Sequence, residues 1–258
     1  MAMSPRLLRP VATGFNPKTI SGLVGWWDPS DSATVTTASG AVSQLNDKSG
    51  LGRNATQGTA NNRPSYSGTI NGRNVMTFDG TNDFLVTGLE SNTLTGFATF
   101  FCVCQASADW TDADANNKSP LYGRNSSDLA ASYGLNLSNI SGNNALNVTW
   151  RGLGFNALNG PTVAKGTPQL LVGSISSTTR FRRVNGTAAN GSVAATAGTN
   201  AAAGNFLNIG QDPPEGVLNR FWKDLIGEIL VYDRTLTTDE IKKIESYLGK
   251  KYGITVAA

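Results

Sequence analysis

The 258 residues include no histidine, and that absence removes much of the chemistry a chain of this size could carry. Without an imidazole there is no Ser-His-Asp triad and no histidine general acid or base near neutral pH. Cys102 and Cys104, in FFCVCQA, are the only thiols. Two residues apart on a strand, they point to the same face and are not placed to bridge each other. They cannot be completed into a Cys/His zinc site, so they read as two small buried hydrophobes. The richest acidic loop is DWTDADANN, residues 109–117. Asp112, Asp114 and Asn116 alternate there as in a calcium loop. However, Asn117 stands where the turn glycine belongs, and Gly123 where a bidentate carboxylate belongs. An EF-hand is excluded. A looser calcium site and an Asx-rich solvent loop are the readings left, and no other cofactor is expected.

A second chemistry open to these residues is sugar stacking, which needs an aromatic face beside amide or carboxylate partners. Trp110, Trp150, Trp222 and Tyr122, with Phe155, stand near Asn or Asp in the sequence and are the candidate ligand-binding rings. The competing reading is core packing, because Trp is highly buried on average. Trp26 and Trp27 are neighbours on one predicted strand, point opposite ways, and put at least one indole in the core.

The elements that must position these groups are mostly strands. From Leu23 onward, short apolar or alternating runs (LVGWW, VMTFDG, DFLVT, FATFFCVCQ, YGLNLS, ALNVTW, QLLVGSI, RFRRVNG, FLNIG, LIGEILVYD) are separated by Gly, Asn, Asp and Pro clusters. Ten or more such runs argue for two packed antiparallel sheets. In RFRRVNG, Phe181 and Val184 break strict alternation, which suggests a bulge or an edge strand. Residues 186–204 are small and low in complexity, and read either as a loop or as a strand pair. The run over Leu225–Val231 is apolar on both faces and predicts a strand covered on both sides. Its carboxylate, Glu228, is alone in the strand, with Arg234 a partner for it or for Asp233.

One helix is predicted, Thr237 to about Tyr252. Thr237 and Glu240 form a capping box, Leu236 and Ile241 a hydrophobic staple, and Ile241, Ile244 and Leu248 an apolar stripe. Lys242, Lys243, Lys250 and Lys251 favour its dipole and read as a solvated face, with no ligand contact expected. Residues 1–20 form an irregular arm broken by Pro5, Pro10 and Pro17, which either packs on its own domain or anchors into a partner.

Net charge is +3, with no basic run interleaved with aromatics, so nucleic acid is not expected. No stretch reaches the roughly 20 apolar residues of a membrane helix, and the N-terminus lacks the apolar core of a secretory signal.

Three segments resemble the concanavalin A-like, laminin-G-like jelly-roll superfamily. GLVGWWDPSD with VSQLNDKSGLGRNATQ (22–31 and 42–57) is similar to its opening strand and "W-x-D-x-S-G-x-x-N-A" element, with Leu45 where Trp is usual. VMTFDGTNDFL (75–85) is similar to "F-D-G-x-x-D-Y-L". FLNIGQD with LIGEILVYDRTL and its helix resembles the closing "G-x-I-G-E-I-x-I-Y-x-R-x-L". The resemblance implies an all-β, antiparallel two-sheet jelly-roll sandwich over 21–258, after the arm of 1–20 and with one C-terminal α-helix. Glycosidases of this fold carry an E-x-D-x-x-E strand, which this chain lacks, so a non-enzyme is expected. The arm resembles structural proteins of tailed phages. The main expectation is therefore a virion structural or adhesion protein, on a tail, fibre or capsid surface, held to other virion proteins through the arm. A carbohydrate-binding lectin is the alternative, and a glycoside hydrolase a further one. A host-surface glycan and further copies of the chain are the other expected partners.

Overall fold

In the computed structural model, the described residues are 14–94, 97–109, 118–125, 128–140, 143–150, 161–176, 179–188, 193–194, 204–211 and 221–257. They form two stacked antiparallel layers. In one layer Lys223–Tyr232 (β17) is central. Ala98–Cys104 (β8) pairs along one of its edges, while Leu23–Trp27 (β1) and Arg73–Asp79 (β6) share the other. Gln169–Ile175 (β12) and Thr179–Val184 (β13) extend the layer beyond β8, and Ser65–Ile70 (β5) flanks β6. The second layer runs Ala55–Thr56 (β4), Leu85–Glu90 (β7), Phe206–Ile209 (β16), Lys118–Asn125 (β9), Asp128–Ile140 (β10) and Asn143–Trp150 (β11). Val35–Ala38 (β2) forms a hairpin with Ala41–Leu45 (β3), which pairs with both β4 and β5 and joins the layers. Thr187–Ala188 (β14) and Val193–Ala194 (β15) are two-residue pairings on β13. This is the expected jelly-roll sandwich.

Side-chain alternation divides the apolar residues into two cores. On β8, Ala98, Phe100, Cys102 and Cys104 face the sandwich interior, while Phe101 and Val103 face the C-terminal helix. Both thiols are buried and free. The strand is covered on both sides, which is why FFCVC shows no polar alternation. On β13, Phe181 belongs to the helix-side core and Val184 to the interior. Three residues apart on a strand are on opposite faces, and the register with β12 is unbroken, so there is no bulge; apart from β12, β13 carries only the two-residue pairings of β14 and β15, in keeping with the edge-strand alternative.

Thr238–Tyr252 (α1) packs on the outer face of the first layer. Its capping box is formed: Thr237 Oγ1 accepts from Glu240 N at 3.3 Å, and Glu240 Oε2 accepts from Thr237 N at 2.9 Å. Gly253 ends the helix at φ 65°, a left-handed conformation that a Cβ disfavours. Ile241, Ile244 and Leu248 are buried and Lys242, Lys243 and Lys250 exposed, as the stripe requires. Thr237→Ala should lower stability by about 0.5–2 kcal/mol in urea titrations, since it removes one bond of a box that also anchors the helix N-terminus. A loss under a few tenths would mean that Arg234, described below, holds the helix start alone.

Residues 14–20 dock on this domain. Phe15 packs against Tyr247 with ring centroids 5.6 Å apart, Ile20 enters the helix-side core, and Tyr232 OH donates to the Pro17 carbonyl at 3.1 Å. Residues 1–13, and most of 186–204, lie outside the described residues.

Candidate functional site

The site is built where α1, β1 and residues 14–18 meet, and it rests on a buried polar cluster. A bulge in β17 creates that cluster. Ile226 pairs with Cys104 and Ile229 with Cys102, so β17 carries one extra residue there. Regular alternation would have turned Glu228 into the sandwich interior beside Ile226. The extra residue turns it to the helix side instead. Gly227 permits this, because a Cβ there would come within 3.3 Å of Val75 and Val103.

Glu228, with no exposed side-chain area, is met by three donors. Trp26 Nε1 lies 2.7 Å away, Tyr247 OH 2.9 Å and Lys251 Nζ 2.6 Å. Lys251 also reaches Asp28 at 2.8 Å, and Lys48 bridges Asp28 at 2.9 Å and Asp31 at 2.8 Å. Burial and the neighbouring Asp28 push the Glu228 carboxyl up, against the pull of Lys251 and Trp26. Burial also acts to raise Asp28, but Lys251, Ser30 and Lys48 outweigh it and hold that carboxyl below the usual range. Glu228 is therefore not alone, and Arg234 is not its partner. Arg234 instead clamps Glu240 at 3.0 and 2.6 Å, and this contact, with the Thr237 amide, draws the Glu240 carboxyl down to about 2.

The opening motifs serve this architecture. Asp47 accepts from the amides of Trp26, Ser49 and Arg53 and from the Ser49 hydroxyl, and Asn54 Oδ1 accepts from Asp47 N. The D-x-S-G-x-x-N-A spacing is thus a loop that bonds its own backbone and the edge of β1. The FDGTND turn works alike. Asp79 accepts from the amides of Thr81 and Asn82, and Asp83 from that of Asp79. Burial and Asp79 push the Asp83 carboxyl up to about 6.

Above the cluster are two grooves that share Phe15. One, about 490 Å³, is lined by Trp26, Asp31, Asp47 and Lys48 among others. Its indole offers no open face, because Trp26 is 7% exposed and Lys48 Nζ sits 4.7 Å from the ring centroid. The other, about 760 Å³, runs along the packed Phe15–Tyr247 pair and is edged by Arg73, Lys242, Lys243, Ser246 and Lys250. Here both rings are only partly covered, and the rim carries hydrogen-bond donors. Of the two, only this groove presents a pair of partly exposed rings.

The rings singled out from sequence are elsewhere. Trp222 has no exposed area and belongs to the sandwich core, and Tyr122 is 1% exposed. Neither offers a face to a sugar, so their assignment as ligand-binding rings is corrected. Trp150 ends β11 opposite Tyr133, and its side chain is outside the described residues. Trp110 and Phe155 also fall outside them, as does the proposed calcium set Asp112, Asp114 and Asn116. Among the described residues, no group of three or more His, Cys, Asp or Glu is placed to hold a metal, and no helix is long and apolar enough to cross a membrane.

The profile of the concanavalin A-like lectin/glucanases superfamily, laminin G type, matches residues 105–242. The chain belongs to that superfamily. No curated protein matches it significantly. Solved structures share the superfamily's sandwich at low identity. A Trypanosoma rangeli sialidase superposes with a TM-score of 0.60 at 14% identity, over 90% of this chain and 33% of the sialidase. The chain thus spans about a third of the sialidases it matches. Domain 4 of AbnA, a GH43 extracellular arabinanase from Geobacillus stearothermophilus, was solved in complex with arabinotriose. It matches with a TM-score of 0.57 at 16% identity, over 86% of this chain and 98% of the domain. A GH54 α-L-arabinofuranosidase matches with a TM-score of 0.60 at 11% identity, over 82% of this chain and 51% of that one.

These relatives correct the expectation of a virion structural protein on a tail or capsid surface. The matching family is that of concanavalin A-like lectins and glucanases, and the similar structures named above are a sialidase, a domain of an arabinanase and an arabinofuranosidase. The phage reading rested on the arm, on the lack of a signal and of catalytic groups, and on the family resemblance, and none of these is a site that specifies a virion role.

Proposed function

We propose that the chain is a non-enzymatic carbohydrate-binding module whose sugar seats in the groove over the packed Phe15–Tyr247 ring pair. The observation that carries this reading is the groove itself. It pairs two partly exposed rings with polar rim donors, the combination that holds a pyranose or furanose by its apolar face and its hydroxyls. The likeness over almost all of a domain solved with arabinotriose supports the same class of ligand. The non-enzymatic reading is supported by the fate of the acids. Asp28 and Glu228 both bond one ammonium and so lie close together, as a retaining pair would. Yet their side chains are 3% and 0% exposed and neutralised by Lys251, with no room for a glycosidic bond.

Titration against an oligosaccharide panel that includes arabino-oligosaccharides, with calcium and with chelator, tests the proposal. Tyr247→Ala should weaken binding roughly two- to tenfold, corresponding to about 0.5–1.5 kcal/mol of ring contact. Tyr247→Phe, which keeps the ring and loses only the bond to Glu228, should bind normally. Equal losses in the two variants would place the sugar elsewhere. Binding lost with chelator would locate it near a calcium loop. Release of reducing sugar from any polysaccharide offered would replace the module by a hydrolase.

A further inference from the structure

We infer that the preferred ligand of this groove is an acidic polysaccharide, one bearing a carboxylate on its sugar units; the inference rests on the carbohydrate-binding reading above. The groove wall is uniformly cationic. Lys242, Lys243 and Lys250 stand on the outward side of α1, and Arg73, at the start of β6, faces them across the opening. All four are exposed. No carboxylate lines the groove, and none of the four makes an ion pair among the described residues. The contrast with the rest of the helix is informative. Of its three carboxylates, Glu240 is held by Arg234 and Glu245 by Arg183 at 2.8 Å, while Asp239 is exposed in the first turn and lines no part of the groove. Lys251, nearest the rings, is engaged by Glu228 and Asp28 below. Lys242, Lys243, Lys250 and Arg73 are exposed and outside every ion pair of the described residues.

Dipole compensation explains Lys250 at the last turn of α1, but not Lys242 and Lys243 near its first turn or Arg73 on another element. Four like charges around one cleft repel one another, and a bound polyanion relieves that repulsion while focusing its own approach. The Phe15–Tyr247 pair selects among polyanions. Its two tilted rings lie between the cations, so the ligand must offer an apolar ring face and charges on the same unit. A uronic acid residue does this. A lipid surface would meet the cations but leave the recessed rings unused. A nucleic acid would ask for an extended basic track, which this short groove does not provide.

The test uses the full chain with two polyuronates of different geometry, polygalacturonate and alginate, and the carboxyl-reduced form of each. At least one polyuronate should bind about tenfold more tightly than its neutral counterpart, with the advantage shrinking as ionic strength rises through roughly 0.15 M. The variant Lys243→Gln/Lys250→Gln should fall to the affinity of the neutral polymer with an unchanged melting temperature. Equal affinity for both forms of each polymer would overturn the acidic specificity and leave the carbohydrate-binding reading standing. An unchanged affinity in the double variant would overturn the role of the groove in it. Absence of binding to these polymers and to neutral oligosaccharides alike would remove the underlying reading as well. Anionic vesicles or duplex DNA bound more tightly than either polyuronate would overturn the inference in favour of those surfaces.

Discussion

Lys251→Met should destabilise the domain by about 3–5 kcal/mol, the cost of leaving buried charge without its partner. The lysine is the only described cation that touches both Asp28 and Glu228, whose side chains are 3% and 0% exposed. Methionine keeps the length and apolar stem of the side chain, so packing against Tyr247 and Tyr252 changes little. The loss should depend on pH in a defined direction. Glu228 is already pushed above the unfolded carboxyl range of about 4 by burial and Asp28, and loss of the ammonium pushes it further, while Asp28 keeps Lys48. A carboxyl whose folded pKa is raised destabilises the native state most above that pKa, and the penalty fades as pH falls toward the unfolded value. Urea titrations should therefore find a large deficit at neutral pH and a smaller one in mild acid. Adding Glu228→Gln should recover part of it. A deficit below about 1 kcal/mol, or one independent of pH, would mean that water reaches the cluster and that the ion pairs are ordinary surface ones.

Ile244→Ala should cost about 2–5 kcal/mol through lost burial and the cavity left behind. Ile244 has no exposed area and sits in the helix-side core with Phe101, Val103, Leu230 and Leu248. Collapse around the gap is restricted because polar ties fix the helix on either side of it. Arg234–Glu240 lies one turn before, Arg183–Glu245 beside it and Lys251–Glu228 two turns after. A site that cannot close around a cavity falls toward the upper end of the range. Denaturant melts of the purified variant measure this directly. If stability is kept while polyuronate affinity is lost, the residue serves the groove and not the core.

Several features of this molecule could be read without coordinates because they are local. The capping box needs only residues 237 and 240, and the stripe on α1 only its own period. The two-sided covering of β17 follows from its unbroken apolar run, and the opposed indoles of Trp26 and Trp27 from strand alternation. What escaped was set by neighbours distant in the chain. Nothing near Tyr122 or Trp222 in sequence distinguishes a buried ring from a platform. Glu228 looked isolated because Asp28 and Lys251 reach it from 200 residues before and 23 after. One signal was available: Gly-Glu inside an apolar strand, where a charge is costly unless a bulge and a partner receive it. The groove was invisible for the same reason. Phe15, Arg73 and Lys243 share no local pattern, and the lysines were read as a plain solvated face.

The pairing of β1 with β17 also sets a condition on how this chain is made. Leu23 lies opposite Tyr232, and the Trp26 indole bonds a carboxylate 202 residues further on. Closing so long a loop costs little more at equilibrium than closing a shorter one, since each doubling adds only about 0.6 kcal/mol. In time the cost is larger, because non-local pairing slows folding. The first strand leaves the ribosome with two tryptophans and only the nearby Asp47 loop to meet, and its partner strand is absent while nearly the whole domain is translated. The second layer, from β7 to β16, can assemble meanwhile. The first layer cannot, because its central strand is the last one synthesised. A translation pause before residue 223 would therefore hold a half-sandwich whose apolar face is open to other chains.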